Sequence, residues 1–292
     1  MFIINFIKSL FLPSKMVKYR TMSIIISIAI FLIASYVLAY PHTNLITNKR
    51  YEIVDKQNAY GLNIFKDLSQ EDIDVLRSTE FKVRNLASEW SESLNQDEPY
   101  VFNINKEKQS VVTIAFDLYD PSDPDQKSKF DFTEYNKKVK DENIDYYLVV
   151  FYKSNLVYMS PDQDIKLPLS YYSGISIDLS TIKDGSYLSY LIMDLYLPSI
   201  KTEITFNTFI SCVLLTFLII LILWVFFRTS GTIYSLKEFY NIGAIASILP
   251  LFVIFVLSWV FPTLQLFTYF TTVFGIYYLI MILLINKNSK IA

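Results

Sequence analysis

Three runs without a charged side chain constrain this chain more than any other feature. Thr21 to Asn48 carry none when His42 is taken as neutral, Ile204 to Phe227 make 24 residues with none, and Phe239 to Asn286 make 48. A bilayer core about 30 Å thick takes about 20 apolar residues as helix. The first two runs therefore read as one span each. The third is too long for one and reads as two, broken at Pro262 in Phe261-Pro262-Thr263-Leu264-Gln265. Proline lacks a backbone donor and disfavours helix just before itself. Helix is the required form, since backbone polar groups in hydrocarbon must be satisfied within the segment. Charged residues are 18% of the chain and mean hydropathy is +0.33, where soluble domains carry about a quarter charged residues.

The expected fold class is a membrane α-helical protein of four spans plus an extracytoplasmic α+β domain with an antiparallel sheet. The segments are 1–20, a cytoplasmic interfacial helix; 21–40, the first span; 41–203, the outer domain; and 204–227, the second span. Then come 228–241, a cytoplasmic loop; 242–261 and 265–285, the third and fourth spans; and 286–292, a cytoplasmic tail.

Lysine and arginine set the orientation. Lys8, Lys15, Lys18 and Arg20 precede the first span, Arg228 and Lys237 follow the second, and Lys287 and Lys290 lie in the tail, against Glu238 alone. That leaves 18 of the 26 basic residues and 27 of the 28 acidic ones for 41–203, a net of −9. Both termini are expected in the cytoplasm and 41–203 outside the membrane. Nucleic acid is not an expected partner of so acidic a face. Alternatively the first span is a cleaved signal peptide, with Val37 and Ala39 as the small-residue site before Tyr40.

Phe2, Ile3, Phe6, Ile7 and Leu10 recur at helical spacing and Pro13 ends the run. This predicts a short helix in the cytoplasmic interface, with Lys8, Lys15, Lys18 and Arg20 near lipid phosphates.

In the outer segment, Pro41 to Lys66 reads as a polar linker. Ser69-Gln70-Glu71-Asp72 reads as a capped helix start, and Ile73, Leu76, Val83, Leu86, Ala87, Trp90 and Leu94 extend it to about 25 residues. Strands are expected at Tyr100–Asn105, over 111–118, at Tyr146–Tyr152 with a return at Leu156–Met159, at Ile175–Leu179 and at Tyr187–Leu197, with turns at 153–155 and at Asp184-Gly185.

The chemistry-bearing residues are sparse. Six scattered glycines leave no phosphate loop or dinucleotide fingerprint. One histidine, His42, and one cysteine, Cys212, exclude a histidine-rich zinc site and an intrachain disulfide. Asp117, Asp120, Asp123 and Asp125 cluster, but Pro121 and Pro124 stand where an EF-hand needs its glycine turn. The cluster reads as a solvated loop, with a weak cation site as the alternative. Cys212 reads as a packing residue. Asn207, Thr208, Ser211 and Thr216 read as sources of helix–helix hydrogen bonds. The spans carry no ionisable residue in their interiors, which argues against an ion-coupled carrier. No catalytic residue, metal site or cofactor is expected.

Phe6-Ile7-Lys8-Ser9-Leu10-Phe11-Leu12-Pro13-Ser14-Lys15 with Arg20, and Tyr234-Ser235-Leu236-Lys237-Glu238-Phe239-Tyr240 running into 244–250, carry a resemblance. They are similar to segments of a bacterial membrane-protein family of unknown function, labelled maltodextrin utilization protein, YvdJ-like. The resemblance covers the two ends, about 100 residues, and implies the same layout of one span, an outer domain and three spans. It transfers no catalytic residue, and its link to carbohydrate uptake is associational.

The leading expectation is a non-catalytic accessory subunit that contacts the lipid bilayer and binds a transporter or other membrane protein. The alternative is an extracytoplasmic ligand-binding or sensor module, with Tyr146, Tyr147, Tyr152, Tyr158, Tyr171 and Tyr172 as stacking candidates against a packing role. An enzyme acting at the membrane surface is the third reading, and it needs a carboxylate pocket that no motif reveals.

Overall fold

In this computed structural model the described residues are 2–84, 87–89, 91, 100–104, 110–117, 130, 145–152, 154–161, 163–171, 174–229, 231–261 and 264–289. The elements in chain order are α1 (Phe2–Phe11), α2 (Pro13–Met16), α3 (Ile24–Gln57), α4 (Gln70–Ser78), β1 (Lys82–Arg84), β2 (Ala87–Glu89), β3 (Tyr100–Ile104) and β4 (Ser110–Phe116). They continue with β5 (Asp145–Phe151), β6 (Asn155–Ser160), β7 (Gln163–Ser170), β8 (Ile177–Asp178), α5 (Ser186–Phe209), a π segment (Ile210–Leu215), α6 (Thr216–Phe227), α7 (Leu236–Val260) and α8 (Phe270–Ser289). Two compact units result: Met1–Asn48 with Ser199–Ala292, and Lys49–Pro198.

Four helical stretches are long and apolar enough to cross a membrane: Ile24–Gln57, Ser186–Phe227, Leu236–Val260 and Leu266–Lys287. Helix α3 has 34 residues with non-helical dihedrals at Lys49, and at about 1.5 Å per residue the part before that break already exceeds a hydrocarbon core of about 30 Å. Its charged residues begin only at Lys49. The helices pack through small residues and polar clamps, as expected where lipid competes with apolar side chains. A Cβ on Gly243 would come within 2.7 Å of Ile220 Cδ1. The buried Asn241 of α7 donates to the backbone oxygens of Arg20 (2.8 Å) and Met22 (2.6 Å) and accepts from Ser27 Oγ (2.6 Å). Tyr278 donates to Phe239 O at 2.8 Å and Tyr277 to Leu10 O.

The hydroxyls expected to bridge helices mostly turn inward. Thr208 donates to Ile204 O and Thr205 O, and Thr216 to Cys212 O and Val213 O, all within their own helix. Such local bonds compete well because the carbonyl one turn back is always in reach. The bridge in this region is made by Thr271, which donates to Ser211 O at 3.1 Å. Cys212 is buried within the π segment.

In Lys49–Pro198 a five-stranded sheet has the order β3-β4-β5-β6-β7, and a smaller one the order β2-β1-β8. The larger sheet corrects the antiparallel expectation. It is mixed, because β4 and β5 pair in parallel, Val112 opposite Tyr147 and Ile114 opposite Val149. The stretch from Asp117 to Ile144 is ample for the crossover a parallel pair requires. Leu148, Val149, Val150 and Phe151 are all buried, as befits a strand covered on both faces. The hairpin of β5 and β6 forms as expected.

Three further expectations are corrected. The segment 41–66 is no linker: α3 runs to Gln57 and a 3-10 turn covers Ala59–Asp67. The helix starting at Ser69 has the expected reciprocal cap with Asp72, but ends after nine residues. Ser78 and Thr79 hydroxyls take Val75 O and Leu76 O, and Glu80 turns left-handed (φ 49°). The chain then buries Phe81 against Phe151, ring centres 4.9 Å apart, and forms β1 instead. The stretch 187–197 is helix in place of strand. Of its residues only Ile192 is β-branched, and leucine and methionine favour helix. Asp184 marks the start by accepting Ser186 N at 2.9 Å.

Candidate ligand-binding site

Within Lys49–Pro198, the last two turns of α3 and the first three of α5 bring a group of half-buried polar side chains together. Tyr187, Tyr190, Leu191 and Asp194 recur at three- and four-residue steps and so share one face of α5. On α3 the backbone leaves helical dihedrals at Lys49 (φ −121°, ψ 18°), one residue before Arg50. Arg50 Nε donates to Asp194 Oδ1 at 2.5 Å, and Tyr51 donates to Asp194 Oδ2 at 2.7 Å. Arg50 Nη2 donates to the Tyr51 oxygen at 3.1 Å, and its guanidinium carbon lies 4.3 Å from the Tyr51 ring centre. The Tyr51 and Tyr190 rings meet at 4.4 Å with 38° between their planes.

The network continues on the other side of Tyr190. Its hydroxyl donates to the Asp55 carboxylate at 3.0–3.1 Å, and Lys66 Nζ pairs with Asp55 Oδ1 at 2.6 Å. Tyr187 accepts from Asp178 N at 3.2 Å, which leaves its own proton free to donate.

Between these side chains and the segment 174–176 opens a cavity of about 400 Å³, lined by Tyr51, Tyr187, Tyr190, Leu191 and Asp194 with Ser176 on the loop wall. That size lies within the range of small-molecule sites. Gly174 holds the wall in a left-handed conformation (φ 99°) with nothing within 4 Å of a Cβ. Just ahead of α5, a Cβ on Gly185 would sit 1.5 Å from Phe65 O, so only glycine fits where α5 begins.

The residues singled out from sequence fall elsewhere. Tyr152, Tyr158 and Tyr171 are buried and cannot stack on a ligand. Tyr158 donates to Tyr60 O at 2.7 Å, and burial holds the Tyr171 phenol protonated well above the usual range. Tyr146 and Tyr147 are half-buried on β5, and Tyr172 lies outside the described residues. Asp117 is buried and accepts Phe130 N at 3.3 Å, while Asp120, Asp123 and Asp125 lie outside the described residues. His42 packs its ring 5.7 Å from that of Phe267.

In the unit holding both termini, Lys8, Lys18, Arg228 and Lys237 are solvent-facing or lipid-facing, Lys15 is half-buried and Pro13 opens α2. Arg20 donates to Thr232 O at 3.1 Å and lies 3.8 Å from Glu238. Arg228 sits 5.2 Å from the Trp224 ring centre.

Arg50, Tyr51, Tyr187, Tyr190 and Asp194 were not singled out from sequence. Their signal is the three-and-four spacing in 187–194, hidden once that stretch reads as a strand. No family model, curated protein or solved structure matches this chain.

Proposed function

We propose that the chain is a membrane-anchored, non-catalytic binding module whose extracytoplasmic domain, 41–203, captures a small ligand in the cavity between α3 and α5. The observation that carries this reading is the cavity itself. It combines three tyrosine rings with a carboxylate already fixed by Arg50 and Tyr51, so its recognition groups are held before a ligand arrives. The cavity is built on the two helices that continue as membrane spans. A ligand there acts on the elements that enter the bilayer, which is the arrangement a sensor needs. Both termini then lie in the cytoplasm, where the basic segments favour them.

Full-length protein in mild detergent, melted against a panel of sugars, amino acids, peptides and amines, tests the reading. At least one compound should raise Tm in the wild type and fail to do so in Ser176→Phe, which fills the cavity from its loop wall. Protection that survives Ser176→Phe, or none across the panel, would remove its support. The accessory-subunit reading rests on the resemblance of the two chain ends. Co-purification with a transporter, independent of Ser176→Phe, is the outcome that favours it.

A further inference from the structure

We infer that the cavity between α3 and α5 takes a small organic cation, an alkylated or quaternary ammonium group. The inference rests on the binding-module reading and names its ligand class. Asp194 is the one lining side chain among the described residues that carries a charge at neutral pH, and the other large polar lining groups are tyrosine rings. Aromatic faces carry negative charge density and attract cations. They reject anions and gain little from neutral polar groups.

The cluster already holds one cation in this way, since the guanidinium of Arg50 lies 4.3 Å over Tyr51 while donating to Asp194. Asp194 accepts one bond on each oxygen, from Arg50 and Tyr51. A carboxylate has about four acceptor sites, so Asp194 keeps capacity for an ammonium. Asp55 lies beyond Tyr190 and is not among the residues lining the cavity, so it does not face the ligand. The free proton of Tyr187 suits a hydroxyl or carbonyl oxygen carried by the same ligand. At longer range the surplus of nine acidic charges over 41–203 raises the local concentration of cations at the domain surface. A neutral saccharide can also donate to the carboxylate, but it gains nothing from the field or from a charge held over the rings.

The test compares choline with 3,3-dimethyl-1-butanol, its neutral isostere, by calorimetric titration into the full-length protein in a zwitterion-free detergent. Choline should bind at least about tenfold more tightly than the isostere, the range of a desolvated cation–π contact. Asp194→Asn and Tyr190→Leu should each weaken choline by about tenfold while leaving the melting profile cooperative. Equal affinity of the two probes, choline affinity unchanged in both variants, or no binding of choline at all overturns the cation inference. The binding-module reading survives any of these if another panel compound protects in a manner abolished by Ser176→Phe. Glycerophosphocholine distinguishes the source. Weaker binding than choline identifies a free amine, and tighter binding identifies a lipid headgroup as the natural carrier of the ammonium.

Discussion

Ser27 and Asn241, 214 positions apart in sequence, share a 2.6 Å hydrogen bond between fully buried side chains. The Asn241 amide nitrogen spends its two protons on Arg20 O and Met22 O, the carbonyls just ahead of α3. One carboxamide thus fixes the entry of α3 against α7.

Asn241→Leu should destabilise the full-length protein by about 1–3 kcal/mol, because it strands a buried hydroxyl and two carbonyls. Ser27→Ala should cost less, about 0.6 kcal/mol, in line with single side-chain bonds between helices in bilayers. Thermal melts in one detergent, with both variants and the pair, check the order. A Ser27→Ala effect as large as that of Asn241→Leu would contradict it.

Gly185→Ala should prevent normal folding of Lys49–Pro198, since the added carbon would overlap Phe65 O. The cost should reach or exceed the upper end of the usual about 1–3 kcal/mol for overpacking. Gly174→Ala meets no atom and carries only its left-handed backbone, a cost of about 1–2 kcal/mol. Yields and protease resistance of the two variants should therefore diverge, with Gly174→Ala close to wild type.

Tyr158→Phe removes the donor to Tyr60 O without changing the packed ring. The loss should be about 1 kcal/mol. Because Tyr158 is buried away from the cavity wall, ligand protection measured by Tm shift should be unchanged. Loss of protection would show that the turn at Tyr60 (φ 60°) communicates with the site.

Acid should weaken the domain through Asp178. Its hydrogen bond from Ser180 Oγ and the Lys82 ammonium 3.6 Å away hold its carboxyl below the usual carboxylate range. The folded pKa is thus lower than the unfolded one. The stabilisation is complete above the ordinary value of about 3.9 and is lost as pH falls below it toward the folded pKa. Tm measured from pH 6 to pH 3 should drop more steeply in the wild type than in Asp178→Asn. Parallel slopes would remove Asp178 as a source of the acid sensitivity.

The membrane helices were readable because absence of charge over 20 or more residues has one physical solution in lipid. The β5–β6 hairpin was readable for a similar reason, since a turn at 153–155 sits between two runs of strand formers. The cavity was not. In 187–197, aromatic and aliphatic residues at almost every position satisfy a period of two as well as one of 3.6, and the helix-start role of Asp184-Gly185-Ser186 has the same composition as a hairpin turn. The same holds for Ser78-Thr79-Glu80, where two hydroxyls bonding back to the helix decide its end. The parallel pairing of β4 and β5 is a long-range choice with no local signature in either strand.

The unit holding both chain ends is divided in sequence by the 150 residues of Lys49–Pro198. During synthesis α3 must therefore enter the bilayer as a lone helix, with Ser27 facing acyl chains, and wait until Asn241 has been made. Its early survival depends on the insertion machinery or on transient neighbours, and its final seat is taken only after the intervening 150 residues have been made. A chain interrupted before Asn241 would carry α3 as an orphan, exposed to the quality-control proteases that survey unassembled membrane segments.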